Sequence, residues 1–260
     1  MRTLLTLTLA VLPIAGLAEA HGGGEAEIEL GQRVWVRPVA RDAWIVRSVS
    51  PIDGFGDVES NAVLVAGAAE SVLIDTPATE AQNALVLAWA AETLHRPVRH
   101  LVVTHWHADR MGGIGLARPN RIETYALGQT RALARSHGLV VPERELRPEE
   151  RLVLAGVKLE TWYPGHGHTA DNLVVWVPAD ALLVGGCFVK AAEATTLGNL
   201  EEIDPEQWAK GADAAARRYP QAHTVVPGHG AACGPELLQH TAELARAYAA
   251  GHGREGERAR

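Results

Sequence analysis

The sequence predicts an α/β protein of four layers, αββα, with two β-sheets face to face and helices on their outer surfaces. Two observations carry this. Short apolar, β-branched runs dominate each half of the chain, and a helical pattern closes each half. Several of the runs give way to Gly-rich loops that bear His, Asp or Cys, so strand ends from both halves can share one rim, where α/β folds place their chemistry.

Taken in order, residues 1–20 have one basic residue, an apolar stretch, and Ala18 and Ala20 flanking Glu19, the small-x-small pattern of a secretory cleavage site. Cleavage is expected after Ala20. The apolar part is too short for a membrane span and no cysteine lies nearby to accept a lipid, so a soluble periplasmic protein without stable membrane association is expected. Residues 33–39 and 43–49 read as paired strands, 50–57 as a turn-rich loop, and 61–66 and 71–74 as further strands. A helix starts at Thr79, where Thr79 and Gln82 form a capping box; Val86, Trp89, Ala90 and Leu94 share its inner face, and Pro97 ends it.

A strand at 100–103 follows, then a helix at 126–137 and a polar loop at 142–150. The second half repeats the plan, with strands near 151–163, 172–177 and 181–186, a helix opened by Asp204 and Pro205, and a strand at 223–226. A last helix runs from Pro235 to Gly251. Residues 21–251 thus form one domain, and 252–260 read as a frayed tail.

An apolar content of 47% over 260 residues supports a sizeable core. The net charge of −7, unchanged by removing Arg2 and Glu19 with the leader, argues against nucleic acid as a partner.

The segment THWHADR, residues 104–110, follows the strand at 100–103. Alternate residues of an extended segment point to one side, so His105 and His107 can converge on one ion while Asp109 reaches past it. Later segments add donors at comparable places: YPGHGHTADN offers His166 and His168, ALLVGGCFVK ends its strand at Cys187, and TVVPGHG carries His229. The chain has two cysteines, Cys187 and Cys233, which in an oxidising compartment suggests a disulfide. The favoured reading is instead a metal-bound Cys187 thiolate, because Cys187 ends a strand in the ligand-bearing pattern.

This set of motifs resembles the metallo-β-lactamase superfamily, and within it the first subclass of the class B β-lactamases, from about Arg33 to the final helix. The resemblance implies two zinc ions, one held by His105, His107 and His168 and the other by Asp109, Cys187 and His229. Two departures narrow it. Glyoxalase II-like and third-subclass enzymes place a histidine where this chain has Arg110 and lack the cysteine, while second-subclass enzymes carry Asn where this chain has His105. The implied activity is opening of the β-lactam ring of penicillins, cephalosporins and carbapenems by a metal-held hydroxide, conferring antibiotic resistance.

By the same likeness, Asp109 and Asn199 belong to the catalytic apparatus. Lys190 clamps the substrate carboxylate and Asn199 polarises the lactam carbonyl. Residues 50–57 match a mobile hairpin flap whose Phe55, between Gly54 and Gly56, covers substrate. Trp106, pointing away from its histidine neighbours, borders the groove, and His166 supports the ligands without being one. A monomer acting on a small molecule is expected. The competing readings are hydrolysis of another ester, thioester or lactone on this scaffold, against which Cys187, Lys190 and Arg110 speak, and zinc storage, which two unequal open sites fit poorly.

Overall fold

A computed structural model describes residues 27–258, with side chains to residue 251. The leader expected at 1–20 and the last two residues of the expected tail lie outside the described residues.

The first sheet has eight strands in sequence order: β1 (Ile28–Gly31), β2 (Val34–Ala40), β3 (Ala43–Ile52), β4 (Gly56–Ala66), β5 (Ser71–Ile74), β6 (Val98–Val102), β7 (Glu123–Leu127) and β8 (Arg144–Leu146). Tight connections make β1 to β5 antiparallel. From β5 onward the neighbours run parallel, because the chain must cross back over the sheet each time. Helix α1 (Glu80–Glu92) makes the first crossover, α2 (Ala108–Met111) and a 3-10 turn the second, and α3 (Gly128–Ser136) the third. The second sheet, ordered β13-β12-β11-β10-β9, contains β9 (Glu149–Leu154), β10 (Val157–Trp162), β11 (Val174–Val177), β12 (Leu182–Gly186) and β13 (Thr224–Pro227). Its one parallel pair, β12 with β13, is bridged by α4 (Pro205–Arg218); α5 (Glu236–Arg258) closes the fold.

Side-chain alternation creates the layers. On β4, Val63 and Val65 enter the core between the sheets while Leu64 and Ala66 face the α1 side. On β11, Val175 and Val177 join that central core while Val174 and Trp176 meet the α4 and α5 residues Trp208, Ala212, Leu238 and Ala242. Strands covered on both faces must be apolar throughout, which is why these stretches read as continuous hydrophobic runs. The expected αββα sandwich is the observed architecture.

Local differences have physical causes. The expected loop at 50–57 is a hairpin: β3 runs to Ile52 and β4 starts at Gly56, with Gly54 and Gly56 at φ of 81° and 72° making a turn that other residues resist. Ala126 and Leu127 finish β7 instead of starting a helix, buried in the sheet between β6 and β8. The polar stretch at 142–150 hides β8, an edge strand with only Leu146 buried, and the start of β9. The last helix continues past Gly251 to Arg258, replacing the expected stop, and takes in Gly251, Gly253 and Gly256. Thr79 caps α1 by accepting from the Gln82 N–H. The Gln82 amide, however, is spent on the Gln32 and Val49 carbonyls, tying the helix start to the first hairpins. No helix among the described residues is long and apolar enough to cross a membrane.

Candidate metal centre

The loop after β6 owes its shape to buried carboxylates on either side. Asp75, at the end of β5, accepts from the Thr104 backbone N–H at 2.7 Å and the Thr104 hydroxyl at 2.8 Å. Asp171, from the loop before β11, accepts from the Trp106 N–H at 3.0 Å, between the two histidines. Leu173 N–H donates to the Thr104 carbonyl, so the loops from the two sheets are stitched together. His107 then begins α2, which places Asp109 in the helix's first turn.

His107 Nδ1 lies 3.2 Å from His105 Nε2 and 3.3 Å from His168 Nε2. Beside this trio, Cys187 Sγ is 3.1 Å from His229 Nε2 and 3.4 Å from Asp109 Oδ2, and His229 Nε2 is 3.3 Å from Asp109 Oδ2. The trios interpenetrate: the donor atoms of His105, His168 and Cys187 also lie within 4.8 Å of one another. Such nitrogen, sulfur and oxygen donors converging without intervening partners suit a borderline-soft divalent cation.

The protonation states fit a cation as well. Burial, together with the neighbouring histidines, pushes His105 and His168 well below the usual imidazole range, so their lone pairs are free to coordinate. His229 Nδ1–H donates to the Glu59 carbonyl at 2.6 Å; a carbonyl can only accept, so Nε2 is left as the free lone pair. Buried His168 Nδ1 has no hydrogen-bond partner. Burial would raise the Asp109 carboxyl, but Arg110 and the nearby His229 and His105 hold it well below its ordinary range, hence ionised. Burial drives the Cys187 thiol well above its ordinary range, and a coordinated cation is what would deprotonate it.

Residues 55–229 match the family model described as the metallo-beta-lactamase superfamily. The chain belongs to that superfamily. It is 33% identical over 248 residues to the metallo-beta-lactamase type 2 of Bacteroides fragilis, covering 95% of this chain and 97% of that one. It is 31% identical over 204 residues to the type 2 protein of Bacillus cereus, covering 78% of this chain and 79% of that one. Among solved structures, DIM-1 metallo-beta-lactamase exposed to ceftazidime superposes with a TM-score of 0.79 at 34% identity, over 83% of this chain and 98% of that one. FIM-1 from Pseudomonas aeruginosa, in its mono-zinc form, superposes with a TM-score of 0.78 at 31% identity, over 85% of this chain and 99% of that one.

Around the metallo-β-lactamase donor cluster, the other expected residues take varied positions. Lys190 Nζ–H donates to the Leu197 carbonyl at 3.1 Å, which folds the ammonium against the loop carrying Asn199. Asn199 Oδ1 accepts from the Glu201 N–H, leaving its Nδ2 end as a donor. Phe55 stands 55% exposed at the hairpin tip, not in the core. Trp106 is half-buried and stacks on His137 at 4.0 Å. His166 stays outside the donor groups and donates to the Glu202 carbonyl. Both cysteines are free: Cys187 is buried, and exposed Cys233 donates to Glu236 at 2.8 Å.

Sequence reasoning missed Asp75, Asp171, Asn61 and Glu202. Glu202 accepts from Trp106 Nε1–H at 3.0 Å and stands 3.8 Å from His107 Nε2, the ring nitrogen facing away from the cluster. A carboxylate directly after the apolar run 72–74 of β5, and another three residues after His168, were the signals available for the first two.

Proposed function

We propose that this chain hydrolyses the lactam amide of β-lactam antibiotics, among them penicillins, cephalosporins and carbapenems, with two zinc ions as cofactors. The observation that carries the reading is the pair of unequal donor trios meeting at one sheet edge, three imidazoles beside a carboxylate, a thiol and an imidazole, in a chain whose relatives are named metallo-beta-lactamases over nearly their whole length. His105, His107 and His168 would hold the first ion, and Asp109, Cys187 and His229 the second. When bound, such a pair supplies Lewis acidity, which acidifies water to near pH 7 and stabilises charge developing on a carbonyl oxygen and an amide nitrogen.

The chain's own residues would do the rest. Glu59 fixes the His229 tautomer, and Asp75 and Asp171 keep the loop that carries His105, His107 and Asp109 rigid, so no reorganisation is needed when substrate arrives. Lys190 has donors left for a substrate carboxylate beyond its one carbonyl partner, and the Asn199 Nδ2 amide can donate to the lactam oxygen. Phe55, on its glycine-flanked tip, is free to lie over an apolar substituent, with Trp106 edging the groove. Residues 1–20 would direct export to the periplasm and be removed, leaving a monomeric enzyme that ends in the helix α5.

The test is hydrolysis of nitrocefin and imipenem by zinc-loaded and chelator-treated protein. Turnover that vanishes with chelation and returns with zinc is expected. A fully loaded protein that turns over neither, yet cleaves a thioester or lactone, would defeat the reading.

A further inference from the structure

We infer that Arg110 is the positioning residue of the Asp109, Cys187 and His229 trio: it holds two of those three donors in register, so that the second ion binds a preformed subsite. The inference rests on the two-ion reading above. An arginine with a completely buried side chain is costly unless every donor finds a partner, and this one does. Its Nε and Nη2 donate to Asp109 Oδ2 at 3.1 and 2.8 Å. Nη2 also donates to the Gly228 carbonyl at 2.8 Å, and Nη1 donates to the Asn61 carbonyl and, at 3.4 Å, to Asp75.

Those partners lie on separate segments: α2, the loop after β13, β4 and the end of β5. Gly228 immediately precedes His229, and its carbonyl also accepts from the Asn61 N–H at 2.8 Å. Asn61 Nδ2 donates to the Pro227 and Gly230 carbonyls on either side of the same loop. The loop is seated directly on the thiol, since a Cβ on Gly228 would fall 2.7 Å from Cys187 Sγ. The guanidinium therefore fixes the rotation of the Asp109 carboxylate and, through Gly228, the height of His229. Its hydrogen bonds go to none of His105, His107 and His168. Its fixed positive charge also offsets the Asp109 carboxylate and buried Asp75 on either side of it.

Lysine cannot reproduce this, because an ammonium is a point donor without the planar fork that reaches acceptors in different directions. Arg110→Lys should therefore lower affinity for the second ion about 10- to 100-fold, the usual effect of losing a partner behind a metal ligand, while leaving the first ion's affinity unchanged. The experiment is a cobalt(II) titration of metal-free protein, reading the ligand-field bands and the thiolate-to-cobalt charge-transfer band that reports Cys187, with stepwise zinc affinities by competition.

Native protein should fill in two steps, only one of which carries the charge-transfer band; a single step would overturn the two-ion reading itself and this inference with it. Given two steps, selective weakening of the thiolate-reporting step supports the assignment, while parallel loss of both steps, or no change in either, overturns it. Should Arg110→Lys fail to fold, Arg110→Gln, which keeps an amide donor toward Asp109 and leaves the Asp75 anchor of the Thr104 loop in place, is titrated instead, and the same selective loss is required of it.

Discussion

Replacing Lys190 with alanine should raise KM for substrates that carry a free carboxylate and leave kcat nearly unchanged. The Lys190 ammonium has three N–H donors and uses one on the Leu197 carbonyl at 3.1 Å, so two remain for an incoming carboxylate. A charge-assisted hydrogen bond in a partly buried position is worth about 1.5 to 3 kcal/mol, which corresponds to about 10- to 150-fold in KM. Burial lowers the Lys190 pKa below the ordinary lysine value, although Cys187 and Asp109 oppose it. The cationic form is therefore lost at a lower pH than for an exposed lysine, and KM should begin to climb correspondingly early as the solution is made alkaline. Steady-state hydrolysis of a carbapenem and of its carboxyl ester, from neutral to alkaline pH, measures both effects. The ester should be insensitive to the substitution. A fall in kcat at constant KM, or equal losses for acid and ester, would show that Lys190 is not the carboxylate clamp.

Cys187→Ser should release the second ion and spare the first, since the sulfur lies 3.1 Å from His229 and 3.4 Å from Asp109; equal loss of both ions in equilibrium dialysis would contradict the division of ligands. Gly228→Ala would put a Cβ 2.6 Å from Cys187 N and 2.7 Å from its sulfur, and such overpacking costs about 1 to 3 kcal/mol. In a domain this size the melting temperature of metal-free protein should drop by about 2 to 12 °C, and an unchanged value would mean that the His229 loop is not close-packed. Glu160 accepts from Arg218 at 2.8 and 3.0 Å and from the Tyr219 hydroxyl at 3.1 Å; burial raises its carboxyl, but these donors prevail and hold it below the ordinary 4.5. Its contribution is present above the unfolded-state pKa and lost as pH falls through the lowered folded-state value. Glu160→Gln should thus cost about 1 kcal/mol at pH 7 and little under acid conditions, as urea unfolding would reveal; a cost independent of pH would refute the ion pair's role.

The layers were legible in the sequence because strands buried on both faces leave no polar positions, as in Val63 to Ala66 and Val174 to Val177. The donor residues were legible for a related reason: His105, His107, Cys187 and His229 follow apolar runs at strand ends, where nothing in the core calls for imidazole or sulfur. The edge strand β8 of the first sheet was not, because it needs only one inward side chain, Leu146, and its remaining residues look like a loop. The end of α5 escaped as well: the helix runs on through Gly251, Gly253 and Gly256, so a glycine did not mark its stop. Least visible were the groups that orient the donors. In the sequence Arg110 only marks the place where third-subclass enzymes carry a histidine, and the approach of Asn61, Asp75 and Gly228 from distant parts of the chain reveals its burial. The Glu59 carbonyl acts through a main-chain contact that carries no residue-type signature, and Asn61 works through its main chain as well as its side-chain amide.

Donor distances alone leave room for an ion among His105, His168 and Cys187 as well as for the two trios proposed. An anomalous difference map recorded on either side of the zinc edge, from zinc-saturated crystals, distinguishes these directly. Two peaks are predicted, one bounded by His105, His107 and His168, the other by Asp109, Cys187 and His229. A single peak shared by His105, His168 and Cys187, with Asp109 and His229 uncoordinated, would mean that the division of labour between two ions is wrong.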